Sequence, residues 1–258
     1  MRAIFVDIDW TILSHRNGHK YDMSSIKALK KAQKKGVKVF IATSRPYHSV
    51  KQIGLFDLIT PDGLVVCNGG LVIYDNQIIR ELDMKPASFE KMCEVILKHN
   101  LNLQAVEAYT RFLISDRLDS ALAVYRTFPE TTPDVEDYHN RKVISALLFA
   151  TEEFDSILEK ELPKDLLVYR FHPEGVDVVG QPHKKGDAVK FVLDYLKIDK
   201  EDAIAFGDDF ADISMFENVG VGVAMANAKD EVKSQAAIVT KEVWKKGVKK
   251  ALKKLKVI

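Results

Sequence analysis

The sequence predicts an α/β protein built on a doubly wound parallel sheet, with a smaller α+β domain inserted into it. Short apolar runs without internal charges, such as residues 4–6 and 203–206, are typical of strands buried on both faces of a parallel sheet. Helical patterns separate these runs in the first and last thirds of the chain, as right-handed crossovers require. Between about residues 86 and 181 the pattern changes to neighbouring strands and helices, which indicates a separate layer.

The first third of the chain contains the start of the parallel sheet. After the opening strand, Asp22 precedes a helical pattern that ends at Gly36, and residues 37–42 form the next predicted strand. That strand leads into the polar turn of residues 43–46, whose proline can open a helix. Further strands are predicted at residues 64–67, 71–74 and 77–81, the last two as a hairpin.

The inserted domain is expected over residues 85–181, between the two parts of the core domain at 1–84 and 182–258. Its predicted helices are residues 87–99, 118–128 and 152–162, and its predicted strands are residues 101–106, 111–115, 143–149, 167–171 and 176–179. The alternation of helix and strand returns at Lys185. It continues with strands at residues 203–206, 219–224 and 237–239 and with an amphipathic terminal helix at 244–255.

The composition is that of an ordinary soluble globular protein, with 258 residues, 47% hydrophobic and 29% charged. A formal net charge of +1 gives no electrostatic reason to expect a nucleic-acid or membrane partner. The apolar run at the start is broken by Asp7, so no signal peptide is expected. Cys67 and Cys93 lie in apolar stretches, which favours reduced thiols in a cytoplasmic protein and leaves a single disulfide open. The sequence does not determine the oligomeric state.

A set of polar side chains falls where predicted strands end or where a helix begins. Parallel strands end at the same edge of a sheet, so residues that are far apart in the sequence converge there. The set consists of Asp7, Asp9, Thr43, Lys185, Asp208, Asp209 and Asp212. Several carboxylates in one place are the ligands that suit Mg²⁺, which keeps waters and accepts a substrate phosphate. The sequence therefore predicts a magnesium site.

The same side chains suit phosphoryl transfer. Lys185 and Thr43 supply the positive charge and the donors that a transferring phosphoryl group needs. A carboxylate can act as a nucleophile through an aspartyl phosphate, and Asp9 can give a proton to the leaving oxygen and then take one from water. Taken singly, Asp7 or Asp208 has the ordinary interpretation of a turn or helix cap. Their combination and their order favour the site.

The order of these motifs resembles that of the haloacid dehalogenase superfamily of phosphatases, and more closely its Cof-like branch with a type IIB cap. Residues 7–11 match the first motif, DxDx(T/V), and Thr43 matches the hydroxyl that follows the second strand. Lys185 directly precedes Gly186 as in the lysine motif, and residues 207–212 match GDxxxD. The resemblance covers essentially the whole chain, with the middle third in the position of the cap.

This resemblance implies a role for each matching residue. Asp7 would be the nucleophile, and Asp9 would be the general acid and base. Thr43, Ser44 and Lys185 would hold the phosphoryl oxygens. The implied ligands of Mg²⁺ are Asp7, Asp9 through its backbone carbonyl, and Asp208, with Asp212 either binding the ion or supporting a ligand.

Two positions depart from the pattern of this branch. Trp10 stands where glycine is usual, and Ala211 stands where an asparagine usually contacts the phosphate. Neither change removes a ligand or the nucleophile. We expect Trp10 to shape the floor of the pocket or its contact with the cap, and Ala211 to remove one phosphate donor.

The sequence thus predicts a Mg²⁺-dependent phosphatase that hydrolyses small phosphate monoesters through a phospho-Asp7 intermediate. Its expected partner is a small phosphorylated metabolite, and sugar phosphates, pyridoxal phosphate and flavin mononucleotide all remain open. Two alternatives also remain. One is phosphoryl transfer within the substrate, as in the phosphomannomutases, which carry a similar cap. The other is a catalytically weak protein of the same fold with a binding or regulatory role.

Overall fold

The computed structural model describes residues 1–16, 18–116, 119–127, 130–181 and 183–258. The chain forms two compact units. The first unit comprises Met1–Ser44, Phe56–Arg80 and Lys184–Ile258, and the second comprises Arg45–Leu55 and Glu81–His183. Each unit has its own hydrophobic core. Among the described residues, no helix has both the length and the apolar character that crossing a bilayer requires.

The regular elements are numbered in chain order. The strands are β1 (Ala3–Val6), β2 (Leu13–Ser14), β3 (Lys20–Tyr21), β4 (Lys38–Ala42), β5 (Gly63–Val66), β6 (Leu71–Tyr74), β7 (Gln77–Glu81), β8 (Asn102–Val106), β9 (Arg111–Leu113), β10 (Ser145–Phe149), β11 (Leu166–His172), β12 (Gly175–Gly180), β13 (Ala203–Gly207), β14 (Val221–Ala224) and β15 (Ile238–Val239). The helices are α1 (Met23–Lys34), α2 (Tyr47–Gln52), α3 (Leu55–Leu58), α4 (Pro86–Lys98), α5 (Asp119–Thr127), α6 (Asp155–Glu161), α7 (Lys185–Leu196), α8 (Phe210–Phe216), α9 (Asp230–Ser234) and α10 (Gly247–Lys254).

The first unit is built on an eight-stranded sheet with the order β15-β14-β13-β1-β4-β5-β6-β7. The strands from β15 to β5 pair in parallel, and β6 turns back antiparallel to β5. All four residues of β1 are buried, as a strand covered on both faces requires. The predicted α/β fold with a parallel sheet is confirmed, and the hairpin forms its antiparallel edge.

Helix α1 shows how local sequence signals set the elements that flank this sheet. The Asp22 side chain caps the helix by accepting a hydrogen bond from the backbone N–H of Ser24, at 3.0 Å. Ile26 and Leu29, one turn apart, are buried on the same face. Gly36 follows the helix with a φ of +83°, a conformation that glycine adopts without steric cost.

The second unit contains a five-stranded antiparallel sheet with the order β11-β12-β10-β8-β9. Helix α4 supplies Phe89 to its core, where the fully buried ring joins that of Phe112 from β9. The predicted helix at residues 118–128 corresponds to α5, and its first and last predicted residues lie outside the described ones. The predicted helix at 152–162 consists of one 3₁₀ turn followed by α6.

Several predicted elements are shorter in the structure, among them the terminal helix and the strand expected from residue 219. The terminal helix begins at Gly247 rather than at Trp244, because Lys246 adopts a left-handed φ of 66° after a 3₁₀ turn. The strand expected from residue 219 begins at Val221, where pairing with β13 starts. No disulfide joins Cys67 and Cys93.

Candidate active site

The acidic residues of the site follow two neighbouring strands. Strands β1 and β13 pair in parallel with Val6 opposite Phe206, and the backbone N–H of Asp7 donates to the carbonyl of Phe206 at 3.0 Å. Asp7 and Asp208 therefore leave the same edge of the sheet. One carboxylate oxygen from each of Asp7, Asp208 and Asp212 lies within 4.8 Å of the others. The structure brings Asp7 together with two acids, Asp208 and Asp212, that lie about two hundred residues later in the sequence.

Lys185 joins this group from the start of α7. Its Nζ lies 2.9 Å from Oδ1 of Asp7 and 2.7 Å from Oδ1 of Asp212. The side chain is only 3% exposed, whereas the neighbouring Lys184 is exposed. A buried ammonium that donates to two carboxylates is held in one position, so its charge is already aligned with the nucleophile predicted at Asp7.

Asp212 organises the loop that carries Asp208. Its side chain is fully buried, and its Oδ2 accepts the backbone N–H groups of Asp208 at 2.9 Å and of Asp209 at 3.0 Å. A Cβ at Gly207 would lie 2.4 Å from the Asp212 carboxyl group, so only glycine lets the loop pass this close. Since Oδ1 of Asp212 binds Lys185, this residue supports both the lysine and the loop.

Thr11 belongs to the site, although the sequence predicts no role for it. Its hydroxyl donates to Oδ1 of Asp208 at 2.8 Å, and its side chain is fully buried. This contact holds the carboxylate of Asp208 close to that of Asp7. The sequence feature that points to Thr11 is its place in the first motif, which specifies threonine or valine at this position.

Burial and crowding alter the acidity of these groups. The pKa of Asp7 rises to about 7, chiefly because of burial and despite the attraction of Lys185. Burial, then the charges of Asp7 and Asp212, raise the pKa of Asp208 to about 9. Burial also opposes the charge of Lys185, but its two carboxylate partners outweigh that effect and raise its pKa above the usual value.

The donor set fits Mg²⁺. The three clustered side chains offer carboxylate oxygens alone, which are the hard ligands that this ion prefers. A divalent cation would also relieve the repulsion among Asp7, Asp208 and Asp212, which one lysine offsets only in part. In the described part of the chain, these three acids form the one group of three or more His, Cys, Asp or Glu side chains that are close enough together to share an ion.

Asp9 takes a different position. Its carboxyl group is not part of the three-acid group, and its Oδ1 lies 2.6 Å from Nε2 of His15. The side chain of Asp9 is 28% exposed and that of His15 is 16% exposed. The sequence predicts no role for His15, because no motif includes it.

The predicted phosphate holders lie at the end of β4. This strand pairs with β1, so Thr43 leaves the same edge of the sheet as Asp7. Thr43 is fully buried, and its backbone N–H donates to the carbonyl of Val65 at 2.8 Å. Ser44 is exposed. The position of these residues suits the predicted role, which stays a prediction.

Trp10 and Ala211 have distinct local settings. Trp10 adopts a φ of 55°, a left-handed conformation that favours glycine, and its side chain is 37% exposed. Its carbonyl accepts a hydrogen bond from the amide of Asn227 at 2.9 Å, which fixes the turn. Ala211 lies in the first turn of α8 and ends in a methyl group, so it offers no side-chain donor to a phosphate.

Comparisons with known proteins agree with this geometry. The haloacid dehalogenase-like hydrolase family matches residues 4–252 of the chain. A Bacillus subtilis (strain 168) protein inferred to be a phosphatase, YkrA, is 30% identical over 259 residues, which cover 98% of this chain and 97% of that protein. A phosphoglycolate phosphatase of Sulfolobus acidocaldarius is 24% identical, and the match covers 99% of this chain and 96% of that enzyme.

Solved structures of similar proteins have the same fold. A protein of Geobacillus kaustophilus HTA426 superposes with a TM-score of 0.92 and 28% identity, covering 100% of this chain and 99% of that one. The subclass IIB sugar phosphatase BT4131 superposes with a TM-score of 0.83 and 28% identity over the whole of both chains. Both similarities extend through the second unit as well as the first.

Proposed function

Because this chain belongs to the haloacid dehalogenase-like hydrolases and is a phosphoric monoester hydrolase, we propose that it is a Mg²⁺-dependent phosphatase of sugar phosphates. One observation carries the proposal: Lys185 binds Asp7 in a buried group of three carboxylates at the edge of the sheet. The sugar phosphatase activity of the relative BT4131, at 28% identity, supports the choice of substrate class.

In the first step, Asp7 acts as the nucleophile. One of its carboxylate oxygens forms a bond to phosphorus while the bond between phosphorus and the leaving oxygen breaks. Asp9, in its protonated form, gives its proton to that oxygen, so that an alcohol leaves rather than an alkoxide. Lys185 and Thr43 hold the phosphoryl oxygens during the transfer.

In the second step, water hydrolyses phospho-Asp7. Asp9, now a carboxylate, takes a proton from the water as its oxygen bonds to phosphorus, and the bond to Asp7 breaks. The products are inorganic phosphate, free Asp7 and a protonated Asp9, ready for another substrate. Each group thus returns to its starting state.

Asp7, Asp208 and the backbone carbonyl of Asp9 would hold Mg²⁺, with Asp212 orienting the loop of Asp208. When bound, the ion supplies positive charge beside the transferring phosphoryl group. We assign residues 1–84 and 182–258 to the catalytic core and residues 85–181 to a cap that selects the substrate. The resemblance to the type IIB branch supports this division.

The test is phosphate release from a panel of sugar phosphates and other phosphorylated metabolites, measured with Mg²⁺ and again with EDTA. We expect turnover that requires Mg²⁺ and that Asp7→Asn abolishes. The matched control is Asp230→Asn, because the Asp230 side chain is 97% exposed and lies in the same unit. Trapping of ³²P on the wild-type protein, and not on Asp7→Asn, would identify the phosphoryl acceptor.

Two results would overturn the proposal. Substantial phosphate release by Asp7→Asn would exclude Asp7 as the nucleophile. An isomeric phosphate as the main product, with little free phosphate, would identify a mutase instead.

A further inference from the structure

A short hairpin places two histidine rings face to edge beside the site. Strands β2 and β3 pair through Leu13 with Tyr21 and Ser14 with Lys20. His15 follows the first strand and His19 precedes the second. Their rings therefore meet across the hairpin, with Nδ1 atoms 2.6 Å apart and ring centres separated by 4.7 Å at an angle of 82°.

The same hairpin is tied to Asp9. Asp9 forms a backbone bridge with Leu13, and the N–H of Trp10 donates to the carbonyl of Leu13 at 2.7 Å. Backbone pairing therefore joins the first motif directly to the start of the hairpin. It leaves Nε2 of His15 at 2.6 Å from Oδ1 of Asp9.

Trp10 completes the surroundings of His15. Its ring centre lies 5.3 Å from that of His15, at an angle of 64°, in an edge-to-face arrangement. A glycine at position 10 would have no ring to make this contact. Trp10, which replaces the usual glycine, thus packs against the same histidine that contacts Asp9.

The hydrogen bond between His15 and Asp9 has a defined donor. A carboxylate oxygen accepts, so Nε2 of His15 carries the proton that it shares with Asp9. The other ring nitrogen of His15, Nδ1, lies 2.6 Å from Nδ1 of His19. The second histidine thereby limits the rotation of the first, which keeps Nε2 of His15 directed at Asp9.

We propose that His15 is a positioning residue for Asp9: it holds Oδ1, so that Oδ2 exchanges the proton with the leaving oxygen and then with water, while His19 and Trp10 hold its ring. This inference rests on the proposed function, since it takes Asp9 as the general acid and base. A carboxyl group that is held at one oxygen turns less freely about its Cβ–Cγ bond. It therefore pays less entropy to reach the transfer geometry.

The test compares leaving groups. p-Nitrophenolate leaves without a proton, whereas the alkoxide of glycerol 2-phosphate needs one, so only the second substrate depends on the general acid. For His15→Ala we expect kcat/KM with glycerol 2-phosphate to fall by about 10-fold, part of the 10²- to 10⁴-fold that general acid catalysis contributes. With p-nitrophenyl phosphate kcat/KM should stay nearly unchanged, because it covers only the steps up to phospho-Asp7.

Three further variants separate positioning from a general structural effect. His15→Gln keeps an N–H donor near the place of Nε2 and should recover most of the lost kcat/KM. His19→Ala should lower kcat/KM with glycerol 2-phosphate by a smaller factor, because His19 acts only through His15. His139→Ala is the matched control, since its side chain is 76% exposed and lies in the second unit. Circular dichroism and thermal melting check that each variant folds.

A double-mutant cycle provides the decisive comparison. If His15 acts through Asp9, then adding His15→Ala to Asp9→Asn should change kcat/KM for glycerol 2-phosphate no further. Equal losses with both substrates, or additive losses in the cycle, would overturn the inference. That outcome would leave the proposed function intact as long as Asp7→Asn remains inactive. Activity of Asp7→Asn would instead overturn the proposed function itself.

Discussion

Lys185 and Asp7 are separated by 178 positions in the sequence, and the lysine Nζ lies 2.9 Å from the carboxylate in a buried site. The same nitrogen lies 2.7 Å from Asp212. One side chain therefore neutralises the predicted nucleophile and also holds the residue that shapes the Asp208 loop.

Replacing Lys185 by methionine should impair both activity and stability. Loss of a preorganised donor at the phosphoryl group should lower kcat by about 10²- to 10³-fold. Two buried carboxylates would lose their partner, so unfolding free energy in the absence of Mg²⁺ should fall by about 3 to 5 kcal/mol. Steady-state kinetics and urea denaturation measure the two effects. Lys184→Met, one position earlier and exposed, should change neither.

Magnesium should stabilise the folded chain through the three-acid group. A ligand at a concentration of about 100 times its Kd raises the free energy of unfolding by roughly 2.7 kcal/mol. For a protein of this size, that corresponds to a rise of roughly 5 to 10 °C in the melting temperature. Differential scanning fluorimetry should show this rise for the wild-type protein and not for Asp208→Asn. Asp209→Asn should keep it, because the exposed Asp209 caps α8 and asparagine caps equally well. If Mg²⁺ raised the melting temperature of Asp208→Asn but not that of Asp209→Asn, the assignment of Asp208 as a ligand would be contradicted.

Trp10 should carry a measurable backbone cost. A side chain at a φ of 55° costs about 1 to 2 kcal/mol relative to glycine. Trp10→Ala and Trp10→Gly both remove the ring, but only the second relieves the backbone. We expect the glycine variant to be the more stable of the two by about 1 kcal/mol, measured by urea denaturation. Both variants should alter the ranking of substrates in the metabolite panel, and an unchanged ranking would refute a role for the ring in specificity.

His48 should make the stability depend on pH. Its ring is buried without a hydrogen-bond partner among the described residues, and burial lowers its pKa from 6.5 to about 3. Between those values the unfolded chain binds more protons than the folded one, so stability falls as the pH falls. The contribution of neutral His48 to the free energy of unfolding is fully present above about pH 6.5.

The variant His48→Gln isolates this effect. Lowering the pH from about 7.5 to about 5 should destabilise the wild-type protein by about 2 kcal/mol more than it destabilises His48→Gln. Urea denaturation at the two pH values measures the difference. His139→Gln changes a ring that is 76% exposed and serves as the control. Parallel pH profiles for the wild-type protein and His48→Gln would contradict the prediction.

Much of the fold could be predicted because its signals are local. The hairpin strands β6 and β7 have the bounds expected from the sequence. Asp75 and Asn76 turn between them with φ values of 50° and 59°, as a tight hairpin turn requires. The terminal helix was predicted too long, because the apolar spacing continues through Trp244 while the backbone turns left-handed at Lys246.

The candidate site could be predicted in part. The sequence placed Asp7, Thr43, Lys185 and Asp208 at strand and helix ends, and the structure brings Asp7, Lys185 and Asp208 into one group with Asp212. The sequence did not reveal that Thr11 holds Asp208 through a hydrogen bond. A contact between two side chains almost two hundred residues apart depends on how neighbouring strands are aligned, and local periodicity does not contain that alignment.

The sequence by itself determined the parallel α/β sheet, the change of pattern in the middle third, and the acids that follow the strands. Apolar periodicity and turn residues act over a few positions, so they can be read without the rest of the chain. Only the tertiary structure decided that Asp9 contacts His15 rather than joining the other acids, and that Arg45–Leu55 belong to the second unit. These arrangements depend on strand pairing and packing among distant segments, which no short stretch of sequence specifies.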